Sequence, residues 1–381
     1  MSNYIAVPES SILLTIPEAI SEDSVTYYQI RAEIAPYHWM VKRRFKDFVE
    51  LHETLIECGV SKESLPQKKF LGNRDPAFIM KRRRDLETYL VSVFQFLSRA
   101  LPQSLADFLD LSKYDLNYVL QTLASLHYDR LVAEVDSPSG DEAHWSPLEM
   151  YAISTRLKSP LPPQDPESKR FDFTNVADCV CQLRSLKLLG QRESLGESNI
   201  VPNELPFDFL AFKSLSKLVL TSVQVGPDVI TALGIVRATL KHLQVNKCEL
   251  SSLAHILLCD TSNWSLKEDP EIKSATEGKP LLRWEKLEHL DFRYNQIERI
   301  DQSLSLVPRC KSLLFGSNKI SAIENLSSLS DLTTLELSDN DISDTDNLAS
   351  RLGPLTWIDM SHNKVKSLAG FSALRSLQHL N

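Results

Sequence analysis

The sequence predicts a multidomain protein, an α+β domain followed by a long α/β solenoid of short strands, and three observations predict it. Leucines return in one pattern every 22 or 23 residues through the last third of the chain. Residues 1–112 instead alternate apolar and polar in three runs and then change to helical spacing. Between these parts lie two stretches rich in Pro, Ser and Gly, Asp136–Glu142 and Ser159–Pro166, that can continue neither a helix nor a central strand.

The chain has 381 residues, 43% apolar and 24% charged, which suits ordinary folded domains rather than disorder. Its formal net charge of −8 argues against nucleic acid as a partner, since a phosphate footprint calls for a broad surplus of Lys and Arg. Any anion must therefore meet a local basic patch. No run of eighteen apolar residues occurs, and the start lacks the basic and apolar regions of a secretory signal, so a cytoplasmic location is expected. Six cysteines show no paired C-x-x-C spacing and are too sparse for a disulfide framework. Nucleotide-, zinc- and acyl-transfer motifs (G-x-x-x-x-G-K-[ST], H-E-x-x-H, G-x-S-x-G) and the kinase H-R-D with D-F-G are missing. His144 and His242 have no matched nucleophile or metal partner, so no catalytic residue, metal or cofactor is expected.

In the first domain, Ile12–Ile16, Val25–Ile34 and Tyr37–Arg44 alternate as three strands of a meander. Asp47–Glu57 places Phe48, Leu51 and Leu55 on one helical face, Met80–Leu97 does the same with Leu86, Leu90, Val93 and Leu97, and a third amphipathic stretch runs from about Asp115 to Val135. Three basic clusters interrupt this acidic chain. They are Arg43-Arg44-Phe45-Lys46-Asp47-Phe48, then Leu65-Pro66-Gln67-Lys68-Lys69, then Lys81-Arg82-Arg83-Arg84 leading into Asp85-Leu86-Glu87-Thr88-Tyr89-Leu90. A guanidinium presents a planar fork of donors that matches two phosphate oxygens, and a lysine serves as a mobile point charge. Phe70 and Leu71 lie between basic clusters, as suits a loop whose tip enters a bilayer while its base meets anionic headgroups.

Taken together and in order, these motifs resemble the phox-homology (PX) family over nearly all of residues 1–112. The resemblance implies that Arg44 pairs with the 3-phosphate of a phosphoinositide, Phe45 packs under the inositol ring, Lys69 meets the 1-phosphate and Arg82 bonds the 4- and 5-hydroxyls. It implies Phe70 and Leu71 as membrane contacts.

Residues 113–170 read as a helical segment and a Pro-rich linker, and 171–381 as a leucine-rich-repeat domain. Early turns are degenerate at Leu183, Leu186 and Leu188, then firmer at Leu215, Leu218 and Leu220 and at Leu240, Leu243 and Val245, where Cys248 takes the position that later turns give to Asn. Full turns follow with Asn295, Asn318, Asn340 and Asn363, spaced 23, 22 and 23 apart. The 47-residue gap from Leu240 to Leu287 is read as a surface insertion, around the charged stretch Lys267–Lys279, or one decayed repeat. The chain ends midway through another turn, so the repeat domain is expected to be truncated. Side chains alternate along a strand, which puts the leucines in the core and Asp291, Leu314, Glu336 and Asp359 outward in an acidic column, flanked by His289, Ser312, Thr334 and Trp357. Trp357 in such a trough would anchor a basic peptide or helix. The asparagine amides are expected to bond backbone between adjacent turns.

A PX domain followed by these repeats is similar to the nischarin family, in His38–Phe48, Leu65–Lys69, Arg84–Leu90 and Leu205–Asp208 with Phe212–Leu215. That resemblance implies an adaptor on early and recycling endosomes that binds phosphatidylinositol 3-phosphate. Its implied protein partners are integrin tails, Rac and Rab GTPases and kinases that govern cell migration. A sorting-nexin-like cargo adaptor, or a cytosolic repeat protein whose PX fold binds no lipid, fits the same domain order.

Overall fold

The computed structural model describes residues 12–68, 75–98, 101–132, 142–159, 169–259, 282–345, 348, 352, 354–372 and 374–381. The chain forms two compact units, one of Met1–Ala133, Ser159–Val176 and Glu193–Val201, the other of the remaining segments. No described helix is long and apolar enough to cross a membrane.

The first unit opens with an antiparallel meander of β1 (Leu13–Glu22), β2 (Val25–Ile34) and β3 (Tyr37–Arg44). Asp23 and Ser24 both take positive φ, the geometry that lets a two-residue turn follow the twist of a β-hairpin. The register of β1 on β2 slips between Thr15 and Glu18, which accommodates Pro17 in a strand. Helices α1 (Phe45–Ile56), α2 (Pro76–Leu97), α3 (Gln103–Phe108), α4 (Leu111–Tyr114) and α5 (Leu116–Val132) follow. Ile30, Trp39, Phe48, Leu55, Leu86 and Leu90 make the dry centre of this unit. Trp39 stacks on Tyr114 at 5.3 Å and its Nε1 donates to Leu109 O at 2.8 Å, so the polar end of a buried ring is satisfied.

β3 is an edge strand of the meander, and a segment distant in sequence covers it. Met40 N donates to Glu197 O at 2.8 Å and Asn199 N donates to His38 O at 3.1 Å. The Asn199 side chain adds two more bonds, accepting from His38 N at 2.7 Å and donating to Pro36 O at 3.1 Å. An edge left bare would present its backbone groups to other chains. Gly196 lies against Tyr114, where a β-carbon would come within 2.6 Å of the hydroxyl, and takes φ +53. Only glycine meets both demands without strain.

Asp115 caps α5 from the interior, accepting from the backbone N of Asn117 at 2.9 Å and Tyr118 at 3.1 Å. Burial pushes its carboxyl up to about 6, against the pull of those two bonds. The folded state therefore keeps a proton that the unfolded chain has lost above pH ~4, and stability falls as pH rises from about 4 to about 6. A shift of this size is worth roughly 3 kcal/mol once ionisation is complete. Asp115→Asn keeps the capping oxygen and removes the charge, so its melting temperature should exceed that of the wild type at pH 7.5 and approach it near pH 4.5. A difference independent of pH would contradict this assignment.

In the second unit, β4 (Glu142–Trp145), α6 (Pro147–Lys158), the end of α7 (Thr174–Gln182), β5 (Ser185–Leu189), β6 (Phe207–Asp208), β7 (Lys217–Thr221), β8 (Ile230–Thr231), β9 (His242–Asn246) and α8 (Ala254–Leu257) come first. Then come β10 (His289–Asp291), β11 (Ser312–Leu314), β12 (Thr334–Glu336), β13 (Trp357–Asp359) and β14 (His379–Leu380). Nine of these strands form one parallel sheet in chain order, from β4 through β5, β7, β9 and β10 to β14, while β6 and β8 pair separately. Glu142–Lys158, which composition alone reads as part of the connector, is thus a strand and helix of this unit. β9 pairs directly with β10, so the long interval before Leu287 is an insertion rather than a lost repeat. Its stretch Lys267–Lys279 lies outside the described residues.

The asparagines act as the spacing predicts. Asn340 donates to Phe315 O of the preceding turn at 3.0 Å and to Leu337 O of its own at 3.1 Å, and accepts from Ile320 N at 2.9 Å. Asn318 and Asn363 repeat the arrangement, and Asn295 does so against Val245 and Cys248. Each residue just before them, Tyr294, Ser317, Asp339 and His362, takes a positive φ between 53° and 60° that turns the chain out of its strand. Cys248 substitutes with a weaker donor, its Sγ reaching Asn246 O at 3.2 Å.

Candidate functional site

Three of the residues that the sequence singles out, Arg44, Phe45 and Arg82, lie at the end of β3, the start of α1 and on α2. Arg44 ends β3 and caps α1, its backbone N donating to Asp47 Oδ2 at 2.6 Å, while its half-exposed guanidinium only grazes Asp47 at 3.4 Å. Arg43, one residue earlier, points the other way. It donates to Phe108 O at 2.9 Å and pairs with Asp110 at 2.8 Å, so it anchors the helices behind the strand and is spent on structure.

Arg82 is 8% exposed. Its guanidinium carbon sits over two aromatic rings, 4.2 Å from the centre of Phe45 and 4.3 Å from that of Phe78. Burial pushes the Tyr28 hydroxyl up, and the neighbouring Arg82, which also bonds it, pulls it back. Nε and Nη2 of Arg82 are buried with no partner among the described residues. Phe78, Lys81, Arg82 and Asp85 of α2, with Pro66 and Gln67 opposite, line an open cavity of about 580 Å³. Arg44 and Phe45 are not in its described lining; Phe45 reaches it through Arg82, whose guanidinium covers one face of the ring.

Arg83 is engaged within the protein through its Nη1, while its Nε is buried with no partner among the described residues. It bonds Ile16 O and lies 3.7 Å from Glu87, whose carboxylate in turn accepts from Ile16 N at 2.5 Å. These two side chains satisfy the backbone that the β1 bulge leaves unpaired. Lys69, Phe70 and Leu71 lie outside the described residues. Phe78, which the sequence places behind the loop of Phe70 and Leu71, instead packs on Arg82, and its spacing of four before that arginine was the available signal.

On the repeat sheet, strand register aligns His289, Ser312, Thr334 and Trp357 in one column and Asp291, Leu314, Glu336 and Asp359 in the next. The acidic column is less free than its composition suggests. Arg293 pairs with Asp291 at 2.8 Å and reaches Glu336 at 3.7 Å, and Ser338 Oγ donates to Glu336 at 2.9 Å. Gly316 makes room for this, since a β-carbon there would come within 2.3 Å of Glu336 Oε1. Asp359 accepts from Ser361 N at 2.9 Å and from Asn381 Nδ2 at 3.2 Å. His242 and His289 stack face to face at 4.4 Å in the flanking column.

Residues 32–112 match the PX domain family, and the chain carries a PX domain there. It is 37% identical over 101 residues to the PX domain-containing protein kinase-like protein of Mus musculus, spanning 26% of this chain and 17% of that protein. It is 32% identical over 173 residues to the Serine/threonine-protein kinase 11-interacting protein of Gallus gallus, spanning 45% of this chain and 14% of that protein. The chain thus spans less than a fifth of the length of these curated relatives. Among solved structures it is similar to an internalin from Listeria monocytogenes, at 20% identity and a TM-score of 0.34, over 55% of this chain and 50% of that one.

Proposed function

We propose that the chain is a non-catalytic, nischarin-like adaptor, held at endosomal membranes by phosphatidylinositol 3-phosphate through its PX domain and gripping protein partners through its repeats. The observation that carries this reading is Arg82, a buried cation held in place with two donors unpaired beside a cavity. Such donors cost about 1–3 kcal/mol each until an acceptor arrives, which favours an anionic or hydroxyl-rich ligand. Arg44, half-exposed and next to Phe45 in the chain, supplies the second fork for a 3-phosphate, and Lys69 the charge for the 1-phosphate, with Phe70 and Leu71 entering the bilayer.

The second unit is read as a leucine-rich-repeat solenoid, on the strength of nine parallel strands in chain order and the asparagine bonds between turns. Its outward face, with Leu314 and Trp357 among Asp291, Glu336 and Asp359, suits a basic peptide or helix. GTPases, kinases and integrin tails are the partners in view, and the chicken relative's name, which records interaction with a serine/threonine kinase, supports a kinase among them. Membrane docking would raise the local concentration of whatever the repeats hold.

Co-sedimentation of the full chain with vesicles carrying each phosphoinositide tests the lipid reading. The full chain is used because Glu193–Val201 completes the first unit. Selective binding to the 3-phosphate lipid is expected, lost by at least roughly tenfold in Arg44→Gln, the loss of one charge-assisted contact. Equal binding by wild type and Arg44→Gln would overturn the site.

A further inference from the structure

We propose that Phe78 is a positioning residue for headgroup recognition, holding the Arg82 guanidinium in one plane so that a ligand meets only its edge; this rests on the phosphoinositide reading of the cavity. Phe78 and Arg82 lie one helical turn apart on α2 and line the same cavity. The guanidinium carbon also sits over the Phe45 ring at nearly the same distance, 4.2 Å against 4.3 Å. Aromatic rings that attract the cation leave its in-plane donors unclaimed, and Nε and Nη2 of Arg82 are unpaired among the described residues.

The choice of phenyl rings over a carboxylate has a consequence for binding. Among the described residues Arg82 makes no ion pair, unlike its neighbour Arg83, which Glu87 and Ile16 O hold fast. A carboxylate partner would fix Arg82 equally well but would occupy the donors that a ligand needs. Aromatic faces attract the cation without accepting its in-plane N–H groups. The arginine is thus fixed in position before the ligand arrives, and the cost of ordering a long side chain is removed from the binding step. Phe45 is shared with the expected floor of the inositol ring, whereas Phe78 serves Arg82 from the cavity side.

The test compares Phe78→Leu and Phe78→Tyr with the wild-type full chain on vesicles containing phosphatidylinositol 3-phosphate, and follows the Arg82 Nε–Hε resonance by NMR without lipid. Phe78→Leu should lower affinity by roughly tenfold, and Phe78→Tyr, which keeps the ring face, should stay within about twofold. In lipid-free protein the ring-shifted Hε of Arg82 should move toward its free value in Phe78→Leu and hold in Phe78→Tyr. An unmoved Hε in Phe78→Leu overturns the clamp whatever the lipid does. A moved Hε with unchanged affinity overturns its role in recognition. Wild-type protein that binds no vesicle overturns the headgroup reading itself, and this proposal with it.

Discussion

Asn340→Ala should destabilise the second unit by about 2–4 kcal/mol while leaving vesicle binding by the PX domain unchanged. The wild-type amide is 7% exposed and joins two turns at once, through Phe315 O, Leu337 O and Ile320 N. Alanine leaves Ile320 N without its acceptor, at about 1–3 kcal/mol, and removes two further bonds, although Phe315 O and Leu337 O keep those from Asn318 and Asn363. On the reading of this unit as a solenoid, neighbouring turns stabilise one another, so the loss should also broaden the transition as the turns on either side uncouple. Chemical denaturation followed by tryptophan fluorescence checks this, because Trp284 and Trp357 lie in that unit. A variant within about 0.5 kcal/mol of wild type would show that the asparagine bonds contribute little net stability.

Arg82→Met should do the opposite on both counts. A buried guanidinium with two unpaired donors and no carboxylate partner among the described residues is a burden on the ligand-free fold, and an apolar chain of similar length fills the space beside Phe45 and Phe78 without that cost. Thermal stability should therefore hold or rise. Headgroup affinity should fall by a hundredfold or more, on the order of two charge-assisted hydrogen bonds. Thermal melts and vesicle binding on the same preparation read both changes. If Arg82→Met unfolds the unit, the arginine is a core strut and its place beside the cavity is incidental. Set beside Asn340→Ala, the pair separates a residue kept for the fold from one kept for a ligand.

Much of this was legible in the chain itself because it depends on periodicity. The strand register that aligns Asp291, Leu314, Glu336 and Asp359 follows from a 22- to 23-residue period, and the amide bonds of Asn318, Asn340 and Asn363 follow from where that period puts them. The three-stranded meander and the helix carrying Arg82 follow from alternation and helical spacing. What stayed hidden was set by contacts distant in sequence. Nothing in Arg43-Arg44 says that the first is tied to Asp110 and the second left for solvent, and nothing in Lys81–Arg84 says that Arg83 serves the β1 bulge. Glu193–Val201 falls within the expected repeat domain of 171–381, yet its backbone completes the β3 edge, because hydrogen bonds between main chains carry no side-chain signature. Likewise the acidic column loses much of its free charge to Arg293, a residue of the same repeat whose direction no pattern reveals.

The most direct measurement is a calorimetric titration of the full chain with soluble, short-chain phosphatidylinositol 3-phosphate, run beside the 4-phosphate and the unphosphorylated lipid. Saturable binding of one headgroup per chain, confined to the 3-phosphate and lost in Arg82→Met, is the result that the buried and unpaired guanidinium predicts. No saturable heat from any of the three with a folded chain, or equal heats from wild type and Arg82→Met, would contradict it and leave the PX domain a fold used for something other than lipid.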